Sequence, residues 1–192
     1  MNKRRFIATG ASLAALAVLA GGCTTTGGAS GDPAAQRKAI DAGADSALAR
    51  LYREAGGSQE LIASARGVLV FPSFISAGFI VGGASGQGVL RKAGKTTGYF
   101  RMTEASVGLL AGAQSQAVFI LFMTPDALSR FEASNGWTAG VDASVALLTV
   151  GADARVTTQT AQQPVIGFVL TNGGLMGSLS LNGNRVTPLD IK

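Results

Sequence analysis

The chain has 192 residues, of which 47% are hydrophobic and only 14% are charged. Roughly a quarter of the residues in a typical soluble domain are charged, so this composition excludes a largely disordered chain, and the length favours one folded domain. The sequence contains no histidine and one cysteine. It therefore excludes catalytic pairs built on histidine, histidine metal ligands and an internal disulfide. We expect a non-enzymatic protein without a bound metal or other cofactor.

The first 22 residues have the layout of a secretory signal peptide. Basic residues at positions 3–5 precede an uncharged run at 6–20, and two glycines then lead to Cys23. A run of about 15 residues is shorter than the ~20 that a membrane-spanning helix needs. The pattern predicts export of the chain and removal of residues 1–22.

The sequence LAGGC at 19–23 resembles the lipobox of bacterial lipoproteins. The resemblance implies that Cys23 is the lipid-attachment site, with a covalent diacylglycerol on its sulfur and a further acyl chain, such as palmitate, on its new amino group. Thr24 after the cysteine, in place of an aspartate, resembles the pattern of lipoproteins sorted to the outer membrane. We therefore expect a lipid-anchored protein of the cell envelope, in the periplasm at the outer membrane. A buried free cysteine is the alternative.

The basic character of the chain is partly a property of the predicted signal peptide. The whole sequence has a net charge of +5, but three basic residues and no acidic residue lie in residues 1–22. The remaining chain is nearly balanced in charge, which removes the electrostatic argument for a nucleic-acid partner. We expect no such partner.

After the anchor, the sequence predicts a tether and then one folded domain. Small, uncharged residues follow Cys23, and residues 23–31 are therefore expected to be a lipidated, flexible tether before a domain at 32–192. Asp32 followed by Pro33 is a typical helix start. Apolar residues then recur at helical spacing as far as two glycines at 56–57, and a short second helix is predicted at 58–65.

The rest of the domain is a series of strand patterns separated by turn residues. The segment at 117–123 is apolar on both faces, as in a central strand, and Pro72 is predicted to end the first strand. The predicted strands are 67–71, 78–81, 88–91, 99–102, 117–123, 143–150, 154–160, 165–170, 175–181 and 184–187, with a short helix at 127–131 and a hairpin turn at 182–183. The expected fold class is α+β and β-dominated: a curled or barrel-like antiparallel sheet with the N-terminal helices packed on it.

Ordered, glycine-rich blocks of the domain resemble the SYLF family. The blocks are ARGVLVFPSFISAGFIVGGASGQGVL at 65–90, ASVGLLAGAQSQAVFILFMTPDALSRF at 105–131, GVDASVAL at 140–147 and VLTNGGLMGSLSLNGNRV at 169–186. The resemblance implies a lipid-binding domain. Eukaryotic members are associated with phosphoinositides, membrane remodelling and actin, and only the lipid-related part suits an exported bacterial protein.

The candidate binding residues for an anionic lipid headgroup are four cations on one predicted hairpin. They are Arg91, Lys92, Lys95 and Arg101, and no acidic residue lies between Gln87 and Met102. Each cation near an anionic surface contributes ~1 kcal/mol to binding. The alternative is an ordinary solvated hairpin tip. Replacement of Arg91, Lys92 and Lys95 by Gln is expected to leave folding intact and to weaken binding to anionic vesicles by about tenfold or more. Phe74 and Ile75 are either exposed apolar anchors or core residues.

The sequence thus favours a non-enzymatic lipoprotein whose domain binds membrane lipid, with anionic headgroups expected. The alternative is a structural module that docks another envelope protein. A large apolar groove beside the basic hairpin would favour lipid, whereas a flat apolar patch of several hundred Å² would favour a protein partner.

Overall fold

A computed structural model of the protein describes residues 32–78, 81–107, 112–147, 162–171, 174–175 and 181–192. The helices are α1 (Pro33–Glu54), α2 (Ser58–Ser64) and α3 (Pro125–Ala133). The strands are β1 (Gly67–Gly78), β2 (Val81–Lys92), β3 (Lys95–Val107), β4 (Gly112–Phe122), β5 (Trp137–Thr138), β6 (Ala146–Leu147), β7 (Val165–Thr171), β8 (Gly174–Leu175) and β9 (Arg185–Pro188).

Helix α1 starts as the sequence predicts. The Asp32 carboxylate accepts a hydrogen bond from the backbone N–H of Ala34 at 3.0 Å, and Pro33 occupies the first turn. Both features satisfy or remove N–H groups that have no partner within the helix. The buried side chains of α1 recur every three or four residues: Ile40, Ala44, Ala47, Leu48 and Leu51. This stripe packs the helix onto the sheet.

The strands form one curled sheet in the order β5-β9-β3-β2-β1-β4-β7-β6, with β8 paired to β7 beside this path. All described pairings are antiparallel except that of β6 with β7. The expected β-dominated α+β fold, with the N-terminal helices packed on a curled sheet, is confirmed.

Side chains alternate between two buried layers along the long strands, as the pleat requires. One layer, which includes Val70, Val89 and Phe119, packs with α1 and α2. The other includes Leu69 and Leu90 and packs with α3 and β5. Both layers lie within one compact unit at 31–192. A unit with its own core is expected to fold without the preceding residues.

Strand β1 does not end at Pro72, and this prediction was wrong. The strand continues through a bulge, because the register with β2 shifts between Val70 and Ser73. A bulge leaves one residue outside the ladder, which suits a proline without an N–H. Gly88 faces the bulge, where a Cβ would lie 2.4 Å from Phe71 Cδ1 and 2.5 Å from the carbonyl oxygen of Val70. The bulge therefore requires a glycine opposite it.

Other differences concern short elements. Strand β5, a two-residue strand that pairs with β9, was not predicted from the sequence. The predicted turn at 182–183 is present, with Gly183 at φ 89°. The predicted strand at 154–160 and most of that at 175–181 lie outside the described residues.

Candidate functional site

An apolar groove of about 600 Å³ lies between α1, α2 and the turn that joins β2 to β3. Its apolar lining includes Leu48, Ala49, Ile62 and Val68, and Arg91 lies at its hairpin side. We call this the α1–α2 groove. Its size falls within the roughly 300–1,000 Å³ typical of small-molecule sites. A concave apolar surface with a paired cation and carboxylate, Arg91 and Asp45, at its edge suits an amphiphile better than a fully polar ligand.

The turn beside this groove is formed by Ala93 and Gly94. Both have positive φ, 48° and 77°, as in the primed two-residue turns of β-hairpins. The turn sets Lys92 opposite Lys95 in the ladder and brings Ala93 and Gly94 to the groove. The predicted basic hairpin therefore exists and borders the α1–α2 groove.

Arg91 is held by α1 rather than exposed at the hairpin. Its Nη1 lies 2.5 Å from Asp45 Oδ1, and its Nη2 donates to the backbone oxygen of Asp41 at 3.1 Å. The side chain is only 13% exposed, and its Nε is buried without a hydrogen-bond partner among the described residues. Buried donors are normally satisfied, so the described residues leave this Nε without the acceptor that such a group usually has.

The four predicted cations do not form a single patch. Lys92 forms an ion pair at 2.7 Å with Glu132 of α3, on the side of the sheet opposite to α1. Lys95 is exposed at the turn, and Arg101 is exposed farther along β3. Neither Lys95 nor Arg101 has an ion-pair partner among the described residues. Of the four, only Arg91 lines the α1–α2 groove.

Asp41 joins α1 to β3 and was not singled out by the sequence analysis. Its carboxylate accepts hydrogen bonds from the Tyr99 hydroxyl and the Thr96 hydroxyl, each at 2.8 Å. Burial raises the pKa of Tyr99, and the hydrogen bond to Asp41 and its negative charge raise it further. The i, i+4 spacing of Asp41 and Asp45 on the polar face of a predicted helix was the available signal, because such acids can pair with a basic hairpin.

Tyr52 contributes a polar group to the α1–α2 groove. Burial raises the pKa of its hydroxyl, and the charge of Arg91 partly opposes this shift. At neutral pH the hydroxyl is therefore a neutral donor, suited to an oxygen of a headgroup.

The two candidate apolar anchors have different environments. Phe74 is fully buried, whereas the side chain of Ile75 is 52% exposed. Cys23 lies outside the described residues. None of the described helices is long and apolar enough to cross a membrane, and the described part contains no cluster of three or more Asp, Glu, Cys or His side chains suited to a metal.

Comparison with known proteins identifies a family domain in the second half of the chain. A family model described as Ysc84, Las17-binding protein actin regulator, matches residues 103–190. The match begins within β3 and ends just after β9, and it confirms the SYLF resemblance over this segment. No curated protein matches the chain. The family supports an interaction module of the lipid-binding or actin-binding kind.

Proposed function

We propose that this chain, whose residues 103–190 carry a domain of the Ysc84 (SYLF) family, is a non-enzymatic lipoprotein that binds lipid at the bacterial cell envelope. The α1–α2 groove holds an acyl chain, and Arg91 together with Tyr52 binds the anionic headgroup. Cys23, acylated after removal of the signal peptide, anchors the protein to the outer membrane.

The observation that carries this proposal is the position of Arg91 in an apolar groove. Ile62 and the exposed Ala49 and Ala63 offer apolar surface in this groove, and each CH₂ of an acyl chain buried there contributes about 0.8 kcal/mol. The guanidinium has two carboxylate neighbours and one unpartnered buried donor, so it is preorganised rather than free to rotate.

A docking site for another envelope protein is the alternative. Such a site usually contains a contiguous exposed apolar patch of several hundred Å². Among the described residues, the exposed large hydrophobic side chains are Ile75 and Val141. Single exposed side chains of this kind are common on protein surfaces and do not make a patch. Las17 binding and actin regulation belong to the proteins after which the family model is described, and an exported bacterial protein would not meet actin in its own cell.

The test is binding of a fluorescent lysophosphatidylglycerol, an anionic lipid with one acyl chain, to the chain from Thr24 to Lys192. Ala49 is exposed on α1 and lines the groove, so Ala49→Trp should fill it and weaken binding about tenfold or more, a loss of about 1.4 kcal/mol. Ala42→Trp is the matched control, because Ala42 is exposed on the same helix and lines none of the described grooves.

Equal affinity of the Ala49→Trp and Ala42→Trp variants for the lipid would show that the lipid does not bind in the α1–α2 groove. Failure of the parent chain to bind any single-chain lipid would favour the protein-docking alternative. Circular dichroism on each variant separates loss of the site from loss of the fold.

A further inference from the structure

Helix α1 covers only part of its side of the sheet. Past the N-terminal end of α1, the sheet is not covered by the helix, and alternate residues of β1, β2, β3 and β9 face solvent there. They are Ser73, Ile75, Ser85, Arg101, Thr103 and Arg185, all exposed. We call this surface the open sheet face.

Register shows that these residues share one face. Gln87 pairs with Ser73 on one side and with Arg101 on the other, and Thr103 pairs with Arg185. Their neighbours along the strands, such as Phe74 and Met102, are fully buried on the opposite side of the sheet. A shallow groove of about 440 Å³ runs over the same surface and includes Ile75, Gln87 and Arg101 in its lining.

The charge on the open sheet face has one sign. The side chains of Arg101 and Arg185 have no ion pair or hydrogen bond among the described residues, and none of the described strand positions on this face is acidic. Ser73, Ser85 and Thr103 add exposed hydroxyl groups to the same face. Close contact with Gly136 positions Arg185, because a Cβ on that glycine would lie 2.6 Å from its Nη2. The face therefore combines two cations, hydroxyl donors and one exposed isoleucine.

Helix α1, which follows the predicted tether in the chain, begins beside this face. Gln36, in the first turns of α1, donates a hydrogen bond from Nε2 to Gln87 Oε1 at 3.2 Å. Cys23 precedes Asp32 by nine residues, which span at most about 30 Å even when fully extended. By contrast, Asp45 and Tyr52, which line the α1–α2 groove, lie about 20–30 Å from the first residue of α1 along the helix axis.

We infer that the open sheet face is the surface by which the domain docks on the anionic bilayer that holds its anchor. This inference rests on the anchoring part of the proposed function. Arg101 and Arg185 contact headgroup phosphates, the hydroxyls donate to the same oxygens, and Ile75 enters the interfacial layer. In this orientation the α1–α2 groove lies toward the other end of α1, so membrane docking and lipid binding use separate surfaces.

The absence of histidine in the chain allows a direct test of this orientation. An N-terminal hexahistidine tag on the chain from Thr24 would hold the domain, by the anchor end, on vesicles that contain nickel-chelating lipid. This chain has no cysteine, because Cys23 is the one cysteine in the sequence. A cysteine introduced by Ile75→Cys or Arg53→Cys is therefore the single site for an environment-sensitive nitrobenzoxadiazole label.

On vesicles of equal parts phosphatidylglycerol and phosphatidylcholine, the label at position 75 should show a blue shift and a gain in emission, and the label at position 53 should not. Arg53 is the control because it is exposed near the opposite end of α1. Loss of both cations by Arg101→Gln with Arg185→Gln should reverse the change at position 75. Arg66→Gln with Arg130→Gln removes two exposed cations from elsewhere and should not reverse it.

Flotation of the untagged chain from Thr24 on the same vesicles gives the affinity. The Arg101/Arg185 double variant should bind about tenfold more weakly or worse. Binding of the parent chain should weaken with salt as the Debye length falls from about 10 Å at 0.1 M to about 3 Å at 1 M. Neither effect should depend on Ala49→Trp, which blocks only the α1–α2 groove.

A response at position 53, no response at either position, or an unchanged double variant would overturn the inference. None of these outcomes contradicts lipid binding in the α1–α2 groove, because the lysophosphatidylglycerol experiment tests that binding separately. Conversely, a response at position 75 without lysophosphatidylglycerol binding would retain the docking face and reject the groove.

Discussion

Arg91 of β2 and Asp45 of α1 form an ion pair at 2.5 Å, although they are 46 residues apart in the chain. The arginine side chain is mostly buried and the aspartate side chain is mostly exposed. The pair closes one wall of the α1–α2 groove, where both residues lie in the lining. It therefore links the packing of α1 to the candidate lipid site.

The first prediction concerns the stability that Arg91 provides. The sequence predicts that Arg91, Lys92 and Lys95 can all be replaced by Gln without a loss of stability. This expectation assumes that all three side chains are solvated, whereas the side chain of Arg91 is mostly buried. We expect Arg91→Gln to lower the free energy of unfolding by about 1–3 kcal/mol, because it breaks the contacts with both aspartates. Lys95→Gln, at an exposed position, should change it by no more than about 0.5 kcal/mol.

Urea unfolding of the chain from Thr24, followed by circular dichroism, measures both free energies. Equal stabilities of Arg91→Gln and Lys95→Gln would show that the ion pairs of Arg91 do not hold α1 on the sheet.

The second prediction concerns the bulge in β1. Gly88→Ala places a methyl group against the Val70 carbonyl oxygen and the Phe71 ring. Because the first contact is with backbone, the bulge must shift, and we expect a loss of about 1–3 kcal/mol in unfolding free energy. Gly83→Ala on the same strand is the control, since its nearest contact would be the Glu104 carbonyl oxygen at an ordinary 3.4 Å. Thermal melting of the two variants compares them, and similar midpoints would contradict the prediction.

The third prediction concerns Glu104, whose pKa is raised because burial disfavours the ionised carboxylate. A raised pKa in the folded state means that ionised Glu104 opposes folding above this pKa, and that the penalty disappears below the unfolded-state pKa. Glu104→Gln should therefore stabilise the protein slightly at pH 7, and its advantage over the parent should shrink as the pH falls through the raised pKa. The effect should stay within about 0.5 kcal/mol.

Unfolding free energies of the parent and Glu104→Gln at neutral and acidic pH give this comparison. Glu60→Gln, which removes the same charge from an exposed position on α2, is the matched control. If the stability difference between Glu104→Gln and the parent grows as the pH falls, the prediction is wrong.

The fourth prediction concerns the anchor. Each buried CH₂ contributes about 0.8 kcal/mol, so a diacylglycerol together with an N-acyl chain exceeds what stable membrane attachment needs. Cys23→Ala in the full chain should leave an uncleaved precursor or a soluble exported form, without incorporation of a labelled fatty acid. Recovery of the variant in the membrane fraction with residues 1–22 removed would reject the lipoprotein assignment.

The sequence alone determined the elements whose signals are local. The capping acid and proline at 32–33 and the apolar spacing from Ile40 to Leu51 predicted α1 within a few residues. Runs of apolar residues predicted the central strands, and the block resemblance predicted the family domain that the model match at 103–190 confirms. These signals depend on residues close together in the chain, so they can be recognised without the tertiary structure.

Only the tertiary structure decided which cations share a surface. Adjacent residues of a strand point to opposite faces, but the spacing of Arg91 and Lys92 does not show that acids from α1 and α3 pair with them. Nor does the sequence show that Arg101 and Arg185 lie on the same face of the sheet, because that depends on the register of β3 with β9. An ion pair or a shared face requires elements distant in sequence to be brought together. Burial of both sides of the sheet sets that arrangement, since a shift of one residue in register would move each side chain to the other face.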